Sequence, residues 1–393
     1  MNKKEKTLII LGIIFIAFNL RAPITAVGSV VEMIKSEYHL TSGMTGFITT
    51  LPLLAFALIS PFVAKISQKL GYGKTMFLGL VFILVGEFTR SYTNVLGLFL
   101  GTTFLGIGIA IGNVLIPSII KLKFKGKVGM MTSVYTSCMC IFAAVGAGIS
   151  VPLAKGLNLG WKHSLSSWFV LTIITLFIWL PQLKSNMVNN IKSTDNIEIK
   201  SKSIWKSATA WWVTLFMGIQ SLLFYSLVAW LPTIIIFKGM TDAFAGTMAL
   251  TFQLTAIPAT LIIPVLCDRY KHQRGLVVAT CMLYLSGMGL FLFGQSHILI
   301  TIAVLLMSLG MGGSISLAIA FISLRSPNAS KASELSGMSQ SAGYLLAAIG
   351  PIMMGIIYDF LQDWSIPIMI FIGMIILLTY CGWHAGSDIV TQE

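Results

Sequence analysis

The chain has 393 residues, 56% of them hydrophobic and only 10% Asp, Glu, Lys or Arg. A soluble domain carries about 25% charged residues, so a water-soluble fold of this length is excluded for want of a charged surface. The net charge of +13, from 26 basic and 13 acidic residues, leaves two readings. It marks either a nucleic-acid footprint or the basic loops on one side of a membrane.

Taken in chain order, long apolar runs occupy roughly 7–34, 44–66, 75–92, 94–120, 128–153 and 163–182. A second set follows at roughly 208–236, 243–266, 275–294, 296–323, 331–358 and 364–383. Each is long enough for a helix to cross about 30 Å of hydrocarbon. The first run is too long for a signal-peptide core and lacks a small-residue cleavage pattern, so it is expected to be retained. The expected fold is an all-α membrane protein with twelve spans.

The basic residues decide between the two charge readings. Twenty of the 26 fall in alternate loops: Lys3, Lys4 and Lys6; Lys65, Lys69 and Lys74; Lys121, Lys123, Lys125 and Lys127; Lys184, Lys192, Lys200, Lys202 and Lys206; Arg269, Lys271 and Arg274; Arg325 and Lys331. Positive charge collects in cytoplasmic loops. The expectation is therefore a multi-pass protein of the cytoplasmic (inner) membrane with both termini inside. A nucleic-acid binder gathers its basic residues on one folded face, so no nucleic-acid partner is expected. Cys138, Cys140, Cys267, Cys281 and Cys381 show no metal or disulfide spacing. No metal and no cofactor are expected.

The polar stretch 184–207 divides the chain into an N-terminal six-helix bundle, 1–183, and a C-terminal one, 208–393. The halves echo each other. Gly106-Ile-Gly108 falls on Gly310-Met-Gly312, Ala143-Ala-Val-Gly146 on Ala347-Ala-Ile-Gly350, and Trp161 on Trp364. Two pseudo-symmetric six-helix bundles are the architecture of carriers that rock around a site near the bilayer midplane. The partners expected are lipid, a small-molecule substrate and, as a candidate coupling ion, the proton, with one chain as the working unit. No nucleophile–base pair or metal pair lies in the spans, so an enzyme is not expected.

The loop Ala64-Lys-Ile-Ser-Gln-Lys-Leu-Gly71-Tyr-Gly73-Lys74 resembles the signature between helices two and three of the major facilitator superfamily, with Lys65 where the family has Asp. The matching loop of the second half keeps the acid, as Cys267-Asp268-Arg269. The resemblance implies a conformational latch. Its candidates are Asp268, Arg269 and Arg274, with Lys65, Gly71 and Lys74 in the first half.

Arg21 lies near the centre of the first span, where a charge costs about 2.5–3.5 kcal/mol even on the lenient insertion scale. Two roles stay open for it: an anchor for a negative or nitro group of the substrate, or a staple to an acid such as Glu87. A guanidinium suits such a group because its donors fork in a plane. Pro23 removes one helix hydrogen bond just beyond it. Further substrate candidates are Asn19, Asn113, Gln220, Phe224, Tyr225, Gln340 and Tyr344. Gln220 and Phe224, and likewise Gln340 and Tyr344, are four apart and share a helix face. Interhelical glue competes with ligand contact for the buried amides. Glu87 is the deep carboxylate available for proton coupling, and it stands three residues from Arg90.

Four strings carry a closer resemblance: Phe18-Asn-Leu-Arg-Ala-Pro-Ile-Thr25, Gly106-Ile-Gly-Ile-Ala-Ile-Gly-Asn113, Gln220 to Pro232, and Leu335-Ser-Gly-Met-Ser-Gln340-Ser-Ala-Gly-Tyr344. Together they are similar to the CynX/NimT branch of the major facilitators, the cyanate and 2-nitroimidazole transporter type. The resemblance implies a permease for a small anionic or nitro-bearing solute, working by alternating access. Efflux of drugs or metabolites is the alternative within transport. A membrane sensor of the same fold, without net flux, is the alternative outside it.

Overall fold

The computed structural model describes residues 3–40, 42–124, 126–184 and 204–387. The linker at 184–207 falls mostly outside the described residues, as do Lys125, Lys192, Lys200 and Lys202 of the basic-loop tally.

Among the described residues the protein is helical throughout, and twelve helices are long and apolar enough to span a bilayer. They are α1 (Lys3–Tyr38), α2 (Ser42–Leu70), α3 (Tyr72–Tyr92), α4 (Val95–Lys123), α5 (Val128–Val151) and α6 (Gly160–Trp179). The second half supplies α7 (Ala208–Phe237), α8 (Asp242–Arg269), α9 (Arg274–Phe293), α10 (His297–Leu324), α11 (Ala329–Leu361) and α12 (Ser365–Ala385). All twelve expected spans are present. Several helices overrun them by about a turn at one end or both. Ser207, Thr241, Ser296 and Asn328 each accept a hydrogen bond from the backbone N–H three residues on, starting α7, α8, α10 and α11. The α2–α3 corner turns at Gly71, whose φ of 86° no side-chain-bearing residue adopts without strain.

The surface is that of a lipid-facing protein. Phe293 and Phe360 are 82% and 84% exposed, and Leu58, Phe62, Phe88 and Phe177 stand out from their helices as well. In water such a surface would aggregate. In hydrocarbon it costs nothing, provided the backbone is satisfied within helices.

The chain divides into two compact units, Met1–Ile119 with Cys138–Ser201, and Ile120–Ser137 with Lys202–Glu393. Lipid gives helices no hydrophobic reason to associate, so close backbone packing over small residues has to hold each unit together. In the first, a Cβ on Gly86 would lie 2.5 Å from Leu105 N and 2.6 Å from Gly101 O, and one on Gly108 would lie 2.3 Å from Gly79 O. In the second, a Cβ on Gly287 would lie 2.6 Å from Met307 N and 2.8 Å from Ala303 O, and Gly310 rests on Tyr284.

These paired contacts correct the register of the repeat. Gly86 meets Gly101 and Leu105 as Gly287 meets Ala303 and Met307. The counterpart of Gly108 is therefore Gly310, and the sequence match of Gly106 with Gly310 is out by two residues. Glycine pairs recur at short spacing in both helices, so letter matching selects the wrong pair, whereas the helix faced by each glycine does not allow it.

Gly86→Leu is expected to cost about 1–3 kcal/mol or more through overpacking of α3 on α4. Gly148→Leu, where an added Cβ meets open space, serves as the control. Thermal unfolding of the two variants in detergent checks this: the first loses several degrees, and the second stays near the parent.

Candidate functional site

Helix α1 continues unbroken through Pro23 and carries Arg21 at mid-length, half-buried. The charge of Arg21 lies within electrostatic reach of the Cys140 thiol on α5, and the Thr25 hydroxyl donates to the Arg21 carbonyl at 3.2 Å. Small residues bring α5 this close: a Cβ on Gly146 would lie 2.7 Å from Ala22 O.

Glu87 is not the partner of Arg21. It is fully buried on α3, and its one hydrogen-bond contact is Oε2 to Thr172 Oγ1 of α6, at 2.8 Å. It makes no hydrogen bond to Arg90, one turn on, although the two groups lie within electrostatic reach of each other. Ion pairs form instead at Lys162–Glu37 and Lys331–Glu334. Arg90 instead donates from Nη1 to Pro23 O at 2.8 Å, pinning α3 to α1 just past the proline.

Asn19 is bound into the protein rather than turned to a ligand. Its Nδ2 donates to Phe15 O at 2.8 Å and to Thr175 Oγ1 at 2.7 Å, and its Oδ1 accepts from Thr172 at 2.6 Å. These contacts tie α1 to α6. Asn113 is buried on α4.

In the second unit, α7 and α11 approach over Gly218 and Gly343, where a Cβ on Gly343 would lie 3.5 Å from the Gly218 Cα. Thr214 and Ser339 share a hydrogen bond of 3.1 Å beside them. Tyr225 and Tyr344 meet edge to face with ring centres 6.3 Å apart, so these two candidates form one aromatic surface across the two helices. Phe224 packs against the core and against Tyr225 at 5.0 Å. Gln220 and Gln340 are both buried. Gln220 Nε2 donates to Ser221 Oγ at 2.8 Å, while its Oε1 has no hydrogen-bond partner among the described residues. Gln340 Nε2 lies 3.4 Å from Ser336 Oγ.

The latch candidates separate in the same way. Asp268, at the end of α8, accepts from the backbone N–H of Gly129 at 2.8 Å and of Met130 at 3.2 Å. Its carboxylate thus occupies the N-terminus of α5, where unpaired N–H groups and the helix dipole favour an anion. The approach requires glycine at 129, because a Cβ there would collide with Pro264 O. Hydroxyls extend the contact: Ser133 donates to Leu261 O at 2.6 Å, and Ser137 bonds Thr260 Oγ1 at 3.0 Å. Arg274 donates to Trp383 O at 3.2 Å and lies 5.1 Å from the Trp383 ring. Arg269, Lys65 and Lys74 are exposed.

Motif reading passed over several residues. Thr172 and Thr175 carry the α1–α3–α6 network, and a threonine in an apolar run gives no signal of its partner. Gln273 and Arg325 form a buried knot: the Arg325 guanidinium donates to Gln273 Oε1 and, through Nε, to Ala385 O at 2.8 Å. Beyond the far end of the α1 span, Glu37 takes Lys162 at 2.6 Å and the Trp161 indole at 2.5 Å. The hydrogen bond from Lys162, and that from Trp161, hold the Glu37 carboxyl below its usual range.

Comparison with known proteins bears on the family and the fold. The family description "Major Facilitator Superfamily" matches residues 9–351 and 238–385. The uncharacterized transporter YycB of Bacillus subtilis (strain 168) is 48% identical over 388 residues, 98% of this chain and 96% of that protein. The 2-nitroimidazole transporter of Escherichia coli (strain K12) is 38% identical over 388 residues, 99% of this chain and 98% of that one. Among solved structures, the proton:xylose symporter XylE superposes with a TM-score of 0.83 over 100% of this chain and 99% of that one. At 12% identity that likeness concerns the fold alone.

Asp268→Ala removes an anionic acceptor from two backbone donors. Hydrogen bonds to charged groups contribute about 1.5–3 kcal/mol when buried, and partial exposure here reduces that figure. The expected result is a lowered melting temperature in detergent, smaller for Asp268→Asn, with Arg269→Ala close to the parent.

Proposed function

The chain belongs to the major facilitator superfamily, and on that premise we propose that its solute is a small anion or a nitro-bearing heterocycle, held by Arg21. That the protein is a multi-pass transporter moving a solute across a membrane follows from the family and from its twelve spanning helices. The nature of the solute is the step beyond. One observation carries it: a guanidinium stands half-buried at mid-length of α1, while Glu87, the buried carboxylate among the described residues, is engaged by Thr172.

An arginine at that depth is costly, and a solute with two coplanar oxygens matches its forked donors. Nitro, nitrite-like and carboxylate groups all have that shape. The 38% identity to a 2-nitroimidazole transporter supports the same class. A carrier of cations would set a carboxylate where Arg21 stands. The transport cycle is alternating access by the two six-helix bundles, 1–183 and 208–393, with a single chain as the working unit and no enzymatic step. The basic residues support a cytoplasmic-membrane location with both termini inside, since 20 of 26 sit on the side that would face the cytoplasm.

Uptake of labelled 2-nitroimidazole or cyanate into proteoliposomes tests the reading. Losing a charge-assisted, forked contact of about 1.5–3 kcal/mol should lower uptake by Arg21→Gln roughly 10- to 100-fold. Arg21→Lys keeps the charge without the fork and should fall between. Parent-like uptake by a membrane-inserted Arg21→Gln protein would remove the anchor.

A further inference from the structure

Phe18, Arg21, Thr25 and Ser29 are half-buried and follow one another along α1 at steps of three or four, so they share one helix face. An arginine within a span cannot face hydrocarbon without a heavy cost. The face that carries Arg21 therefore borders water or protein, and Phe18 borders the same space. Residues three apart on a helix have Cβ atoms about 5–6 Å apart, which roots an aromatic ring one turn from the guanidinium.

Helix α5 is fastened along this face. Ser29 Oγ donates to Ala147 O at 2.8 Å, and Gly146 lets the α5 backbone lie against Ala22. One turn before Gly146, Phe142 packs against the cluster that contains Ala22, Ala26 and Val27. Its ring is held by the same approach that holds the helix. Because α5 also brings Cys140 within electrostatic reach of Arg21, Phe142 is fixed in the neighbourhood of that charge.

Phe18 and Phe142 lie nearly parallel, at 15°, with ring centres 3.6 Å apart. Phenyl rings ordinarily avoid this arrangement. Each face carries the negative part of the ring quadrupole, and pairs settle offset or edge to face with centres about 4.5–7 Å apart. Phe224 and Tyr225 do so, at 5.0 Å and 74°. The centred pair of Phe18 and Phe142 opposes like faces, so little is lost when it separates. A better partner for the Phe142 face is a ring that has lost electron density. A conjugated nitro group withdraws that density and lies in the plane of the ring that bears it. Phe18 stands where such a ring fits, one turn from a guanidinium that suits the nitro oxygens.

We propose that Phe142 is a specificity-determining residue, whose ring stacks on a flat, electron-poor heterocycle in the place that Phe18 fills in this structure. Phe18 turns aside by a change of side-chain rotamer, and Arg21 takes the two coplanar oxygens of the same solute. The favoured substrate class is thereby an aromatic nitro compound. Bare anions such as nitrite offer oxygens to Arg21 and no face to Phe142, so they bind more weakly. The placement of the nitro group rests on the Arg21 reading. The stacking on Phe142 does not.

Calorimetric titration of the purified full-length protein with 2-nitroimidazole and with nitrite tests the stack, since nitrite has the oxygens without the ring. The parent should bind 2-nitroimidazole more tightly. In Phe142→Leu, which keeps an apolar side chain without the ring, the ratio of the two affinities should fall roughly 3- to 10-fold. Phe142→Tyr returns the ring and should return the ratio, and Phe18→Leu should keep it at or above the parent value. Both ligands are measured on one preparation, so a partly unfolded variant alters them alike. An unchanged ratio in Phe142→Leu, equal binding of the two ligands by the parent, or a ratio lost in Phe18→Leu would overturn the proposal. Arg21→Gln separates the two readings. Loss of both ligands there, with the ratio intact in Phe142→Leu, leaves the anchor standing and removes the stack. Parent-like binding of 2-nitroimidazole by Arg21→Gln, with weakened binding by Phe142→Leu, leaves the stack standing and removes the anchor. A parent that binds neither ligand contradicts both.

Discussion

Hydrocarbon offers no partner to a charge or to a bare peptide group, and the placement of every polar side chain between the two faces of this protein answers to that cost. The answers differ in kind. Asn19, Thr172, Thr175 and Glu87 are hydrogen-bonded to one another across three helices. Arg90 caps a carbonyl beside Pro23. Arg21 stands half-buried at mid-length of α1, and the role proposed for its charge is to hold the solute.

The same scarcity explains how the helices cohere. Because lipid is as apolar as the side chains, association depends on backbone proximity and on a few hydrogen bonds. Gly86 on α3 and Gly287 on α9 meet equivalent backbone atoms of α4 and α10 in their own units, so one packing solution is used twice. Where a contact has to be directional, the protein uses the end of a helix. Asp268 binds the first N–H groups of α5, an arrangement worth most where the helix dipole is unscreened.

Much of this was legible in the sequence, for reasons that can be named. Twelve apolar runs translate into twelve helices because only helices satisfy their backbone in lipid, and Arg21, near the centre of its span, was conspicuous against an apolar background. The motif comparison also pointed to Asp268, whose carboxylate does reach a neighbouring helix. Partnership was not legible. Asn19 stands next but one to Arg21 and shares its helix, yet its amide belongs to α6, because side chains two residues apart point to different faces. Thr172 and Thr175 carry no mark of their partners in a run such as Leu171-Thr-Ile-Ile-Thr175. The repeat register slipped by two residues because glycine spacing recurs, and only the faced helix distinguishes Gly108 from Gly106.

The central claim is that the charge of Arg21 selects the solute. Thermal stabilisation of the purified parent and of Arg21→Gln by matched ligands tests it most directly, since a ligand at about 100 times its Kd adds about 2.7 kcal/mol to the folded state. 2-Nitroimidazole, cyanate and nitrite should raise the melting temperature of the parent and leave Arg21→Gln unmoved, while imidazole and a quaternary ammonium ion stabilise neither. Equal stabilisation by the neutral and cationic compounds, or stabilisation by the anions that survives Arg21→Gln, would contradict it.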